Sequence, residues 1–202
     1  MALATQPRIL KGEEKLHVAG VPYADADGGA TMLDFWKWAF SDVLLDTTRG
    51  TFAEFLVARL IGEGGHPRPT TTEYDIQGKD GRRIEVKSTA YRQRWLSAAD
   101  RNTVPTFSGF RRYRYVDRRP VGTRDYLADI YVLALLAETD QGLVDPTDLA
   151  QWEFFVLSKD ELQKASGDKG AISLTRVRAA VKSCRAQELA SRYRSIILPG
   201  RT

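Results

Sequence analysis

Residues 73–87, Glu-Tyr-Asp-Ile-Gln-Gly-Lys-Asp-Gly-Arg-Arg-Ile-Glu-Val-Lys, decide how the rest of the chain is read. Side chains alternate along a strand, so Ile84 and Val86 point one way and Glu85 and Lys87 the other. The pattern predicts a β-hairpin, and the length of its loop decides where Asp75 falls. A two-residue loop, Asp80-Gly81, would set Asp75 opposite Val86 on the apolar face, and a four-residue loop, 78–81, would set it opposite Ile84. A three-residue loop, Lys79-Asp80-Gly81, ends on the glycine that its left-handed third position favours. That loop pairs Gly78 with Arg82 and Ile76 with Ile84, and brings Asp75 opposite Glu85. The turn therefore predicts an Asp/Glu pair beside Lys87.

Two carboxylates converging from neighbouring strands form a hard oxygen site suited to Mg²⁺, with Mn²⁺ as a substitute, completed by water and substrate phosphate. A neighbouring lysine can orient a metal-bound water, and the metal can stabilise charge on phosphate. This is phosphodiester hydrolysis chemistry. The alternative at this level is a solvated strand face, with Glu85 and Lys87 as an ordinary ion pair.

Upstream, residues 51–62 place Ala53, Leu56, Val57, Leu60 and Ile61 in an apolar stripe at helical spacing, stopped by the glycines from Gly62 to Gly65. Glu54 lies in line with Val57 and Ile61, so it can face the sheet. Thr51 and Glu54 also have the spacing of a capping box, in which the Glu bonds back to the helix start. Both readings of Glu54 stand.

A helix bearing Glu54, a hairpin strand bearing Asp75 and the Glu85-x-Lys87 of the next strand resemble the PD-(D/E)xK nuclease superfamily. The resemblance implies an α/β protein with a restriction-endonuclease-like core, a central mixed sheet flanked by helices. It also implies that the acids Asp75, Glu85 and Glu54 hold Mg²⁺ while Lys87 assists the attacking water. Tyr74 stands where the pattern has proline. Double-strand cutters of this kind often pair two sites about a two-fold axis, so a homodimer is an open expectation.

The net charge is only +4, but from Arg82 to Arg124 twelve Arg and Lys face three acids. Basic charge is thus concentrated just after the proposed site, as a polyanion-binding surface requires. Arg92, Arg94, Arg111, Arg112 and Arg114, interleaved with aromatics such as Tyr113 and Tyr115, suit phosphate contact and base stacking on DNA. Residues 111–115 equally fit a strand edge with a wet arginine face. Gln93 is a candidate supporting group near the metal.

Residues 1–31 read as an arm or extension, followed by one domain over 32–202. The aromatic-rich residues 33–40 suit a short helix covering the core. Residues 129–137 are the most continuous apolar run and read as a central strand, with Asp129 at its head capping or pairing with a base. A second strand over 152–157, a helix capped by Ser158 and Glu161, a short extended piece at 172–174, a basic helix over 175–184, a helix near 187–194 and a short apolar end at 196–198 follow.

Apolar residues at 43% and charged residues at 28% exclude general disorder. The single cysteine, Cys184, excludes an internal disulfide, and neither a membrane-spanning run nor the apolar core of a signal peptide appears, so a cytoplasmic protein is expected. His17 and His66 have no ligand spacing, and a phosphate-binding Gly-x-x-x-x-Gly-Lys loop is missing. The expectation is a Mg²⁺-dependent DNA endonuclease. Its rivals are a DNA-binding module of the same fold that does not cut, and an interaction protein in which these acids are structural.

Overall fold

A computed structural model of the chain describes residues 11–24, 28–65, 68, 73–117 and 119–197. His66, Arg118 and the apolar end at Leu198 lie outside the described residues, as does the first part of the N-terminal arm. The chain divides into two compact units, Met1–Val43 and Leu44–Thr202.

In the first unit, β1 (His17–Val18) and β2 (Val21–Pro22) form a small antiparallel hairpin. Its two turn residues, Ala19 and Gly20, both have positive φ, as tight hairpin turns demand. Helix α1 (Met32–Phe40) opens on a capping box between Thr31 and Asp34. The helix expected at 33–40 is present, but none of its residues is buried, so its aromatics are not the core cover expected of them.

The second unit begins with α2 (Asp46–Ile61). It continues through β3 (Ile76–Gln77), β4 (Arg83–Ala90), β5 (Thr106–Ser108), β6 (Arg111–Val116), β7 (Arg119–Tyr126), β8 (Ile130–Leu136) and β9 (Trp152–Ser158). It closes with α3 (Lys159–Ser166), β10 (Ala171–Ser173), α4 (Leu174–Ala180) and α5 (Ala186–Ile197). A four-stranded sheet has the order β3-β4-β8-β9, with β4 parallel to β8 and the other neighbours antiparallel. The fold is therefore α/β, a mixed sheet flanked by helices.

Strand β8 is buried along its whole length, which is why its sequence runs apolar without alternation. Ile130, Val132, Ala134 and Leu136 join α2 and α5 in one core, while Tyr131, Leu133 and Leu135 join α3 and α4 in the other. In the second core β5 pairs with β10 and contributes Phe107. Asp129, as expected, pairs with a base: its carboxylate meets Arg83 through the guanidinium at 2.8 Å and the backbone N–H at 2.9 Å.

Three boundaries move. Helix α2 starts at Asp46, five residues before the expected Thr51, and Thr51 Oγ donates to the Thr47 carbonyl from inside the helix. The basic helix stops at Ala180, because Cys184 is drawn into backbone pairing with Phe154 of β9. The sparsely apolar region before Tyr126 contains a two-stranded ribbon, β6–β7, which pairs with no strand of the main sheet.

Candidate active site

The loop between β3 and β4 fixes the site. The Gly78 N–H donates to the Arg82 carbonyl and the Gly81 N–H to the Gly78 carbonyl, both at 2.8 Å, and Gly81 has φ +83°. This is the three-residue turn, so Ile76 pairs with Ile84 and Gln77 with Arg83, and the ladder ends there, before the expected pairing of Asp75 with Glu85: the Asp75 N–H donates to the Ile84 carbonyl at 3.0 Å. The Asp75 carboxylate then accepts the Val86 N–H at 2.8 Å, beyond the last pair of the short β3 ladder. It bends over the β4 edge and is held there.

Both carboxylates are buried, Asp75 at 9% and Glu85 at 3% exposure. Burial, with repulsion from Glu85 and Glu54, pushes the Asp75 carboxyl from 3.8 up to about 6, against the opposing pull of the Val86 N–H and Lys87. One oxygen of Glu85, Oε1, meets both the Lys87 ammonium and the Arg112 guanidinium, the latter at 2.7 Å. The other, Oε2, is buried with no hydrogen-bond partner among the described residues. Across the sheet Tyr131 sits in register with Glu85, and burial, with a smaller contribution from Glu85, pushes its phenol further up, so it stays protonated.

Glu54 reaches the neighbourhood but is engaged elsewhere. Its carboxylate grips Arg68 through both oxygens, with one contact at 2.9 Å. The capping-box reading fails because Thr51 is inside the helix. Glu54 still raises the Asp75 carboxyl, and Asp75 in turn acts on Arg68, so these three groups, with Glu85, form one electrostatic neighbourhood. Among the described residues no group of three or more His, Cys, Asp or Glu is arranged as a metal cage. The donor set that does converge is the Asp75–Glu85 pair. Two buried acids with one unpartnered oxygen have the chemistry for a hard divalent cation that keeps most of its waters.

The five candidate arginines have different fates. Arg92 is buried, and its guanidinium donates to Gln141 and to the Asp100 carbonyl at 2.9 and 2.8 Å, and also reaches the Ser97 carbonyl and Asn102. It clamps the loop after β4, so the contact with nucleic acid expected of it is not available. Gln93, expected near the metal, instead donates to the Ala90 carbonyl and accepts from buried Arg49, each at 3.0 Å. Arg94 is exposed. Arg111 donates to the Arg124 carbonyl at 2.9 Å, Arg114 lies 3.8 Å from Glu73, and Arg124 stacks over the Tyr113 ring. Only Arg112 reaches the carboxylate pair. Sequence reasoning missed Arg68 as the partner of Glu54, since fourteen residues of loop and helix carry no pattern linking them. It named Arg112 as a nucleic-acid contact but missed its ion pair with Glu85, which joins residues 27 apart in sequence.

The α/β sheet thus sets Asp75 beside β4, which carries Glu85 and Lys87, with Arg112 of the ribbon on Glu85. Residues 35–175 match the family described as bacteriophage T4 endonuclease IV, and the chain belongs to that endonuclease family. Asp75, Glu85, Lys87, Glu54 and the ribbon arginines all lie within the matched residues. No curated relative matches the chain. Among the described residues no helix is long and apolar enough to cross a membrane.

Proposed function

We propose that this protein is a Mg²⁺-dependent DNA endonuclease of the PD-(D/E)xK type, with β3, β4, β8 and α2 as a restriction-endonuclease-like core. The observation that carries the reading is the buried Asp75 carboxylate held on the Val86 N–H of β4 beside Glu85, whose own carboxylate meets Lys87. Asp75 and Glu85 Oε2 would hold the ion, which when bound supplies positive charge to the phosphate and acidifies a water. Asp75 is ionised and fit to serve as a ligand above about pH 6. Lys87, fixed by Glu85, holds the attacking water at the phosphate. Glu54 acts at longer range, its charge shared between Arg68 and Asp75. Arg111, Arg114 and Arg119 on the exposed ribbon, with Arg94, contact the sugar–phosphate backbone.

The test is cleavage of single- and double-stranded DNA with Mg²⁺, and with a chelator as control. Lys87→Ala should lower the cutting rate by on the order of 10³-fold, with unchanged circular dichroism, because it removes a group acting at the reacting atoms. Full activity in that variant sinks the assignment of Lys87. Salt-dependent DNA binding without Mg²⁺-dependent cutting would leave the non-cleaving module as the better reading.

A further inference from the structure

We propose that Arg112 is a phosphate-binding residue of the reaction, held on Glu85 in the free protein and transferred to the scissile phosphate when a divalent cation occupies the carboxylate pair. The inference rests on the nuclease reading above. Arg112 and Arg114 lie two residues apart on β6, on either side of the point where the β6–β7 register shifts. Both arginines reach toward the segment that carries the site, Arg112 to Glu85 at 2.7 Å and Arg114 to Glu73 at 3.8 Å.

The charge at Glu85 is lopsided. Two cations, Lys87 and Arg112, meet the same oxygen, although one would balance a single carboxylate. The second oxygen is buried without a hydrogen-bond partner among the described residues. Lys87 is fixed in β4 two residues away. Arg112 comes from a ribbon outside the main sheet, and its side chain is 41% exposed. A guanidinium keeps its charge at any working pH and offers a planar fork of donors that matches phosphate. A divalent cation at Asp75 and Glu85 would compensate the Glu85 charge and weaken its hold on Arg112. A phosphate brought beside that cation is then the stronger partner, through charge-assisted hydrogen bonds.

The experiment compares wild type, Arg112→Ala, Arg112→Lys and the ribbon control Arg119→Ala in two measurements. The first is Mn²⁺ affinity by calorimetry without DNA. The Arg112→Ala variant should bind Mn²⁺ about 3- to 10-fold more tightly, since a cation competing for Glu85 is gone. Unchanged or weaker binding overturns the competition. The second is single-turnover cutting alongside the dissociation constant for DNA. Arg112→Ala should cut about 100-fold more slowly with DNA affinity within about 3-fold, as for loss of one transition-state donor. Arg112→Lys should recover part of that rate. A rate loss no larger than the affinity loss, matching Arg119→Ala, would make Arg112 an ordinary backbone contact and overturn the proposal. Metal binding by a wild type that cuts no DNA would remove the nuclease reading and the phosphate role with it, even if calorimetry upheld the competition at Glu85.

Discussion

Two antiparallel hairpins, β3–β4 and β6–β7, carry polar residues in alternation and come to opposite ends. Strand β4 has neighbours on both edges and helix α2 over one face, so Glu85 and Asp75 are buried and electrostatically expensive. The ribbon has only itself. Residues 113–117 and 119–125 are all exposed, and a register shift opposite Tyr113 bends the ladder where Gly122 takes φ +69°. Alternation alone does not distinguish the two, because what a strand's polar residues do depends on what covers it. Burial marks the first hairpin and exposure the second. They meet at Arg112 on Glu85, with Arg114 3.8 Å from Glu73 just ahead of β3.

The contrast predicts that arginines of the two regions respond differently to removal. The largest effect is expected at Arg92, just past β4. Arg92→Ala strands the Ser97 and Asp100 carbonyls and should cost about 3 kcal/mol in urea unfolding, while the folded fraction keeps its DNA affinity. A loss of DNA affinity at full stability would instead place Arg92 with the ribbon.

The second effect sharpens the electrostatic side. Asp75 has its folded value raised from 3.8 to about 6, so between those values the folded state holds more proton than the unfolded one. Stability therefore falls as pH rises through about 4 to 6, and the penalty is fully present above 6. The two-unit shift corresponds to about 3 kcal/mol as an upper bound. Asp75→Asn can still accept the Val86 N–H, so it should be more stable than wild type at pH 8 by about 1–3 kcal/mol, with the gap closing near pH 4. Urea titrations at the two pH values check this, and a gap independent of pH would show that Asp75 is not under this strain. In wild type, Mg²⁺ affinity should decline below pH 6 as Asp75 takes up its proton.

The turn of the first hairpin was legible because it rests on local rules. Gly81 selects the turn, and the turn pairs Ile76 with Ile84. Ser158 and Glu161 formed their capping box for the same reason. What was hidden depends on distant partners. The first turns of α2, Asp46-Thr-Thr-Arg-Gly, are poor helix formers without a side-chain cap, and they are held by Arg49 reaching Gln93 and the Leu44 carbonyl. The parallel pairing of β4 with β8 joins residues more than forty apart. The ribbon reaches the core only through Tyr126 at its end and so shows no apolar period to find.

The smallest effect tests whether the ribbon is adhesive at all. Arg119 is exposed at the start of β7, paired in register with Val116. If it meets a phosphate, Arg119→Ala should lower the slope of log affinity against log salt by about 1, for one fewer counterion released. Affinity should drop only a few-fold at moderate salt, and unfolding stability should stay within about 0.5 kcal/mol, since no buried contact is lost. The single-turnover rate on saturating DNA should not change. An unchanged salt slope would leave the ribbon a solvated surface and reduce the basic excess of residues 82–124 to the one arginine that touches Glu85. A reduced slope with an unchanged rate would separate holding the strand, done by the exposed hairpin, from cutting it, done by the buried one.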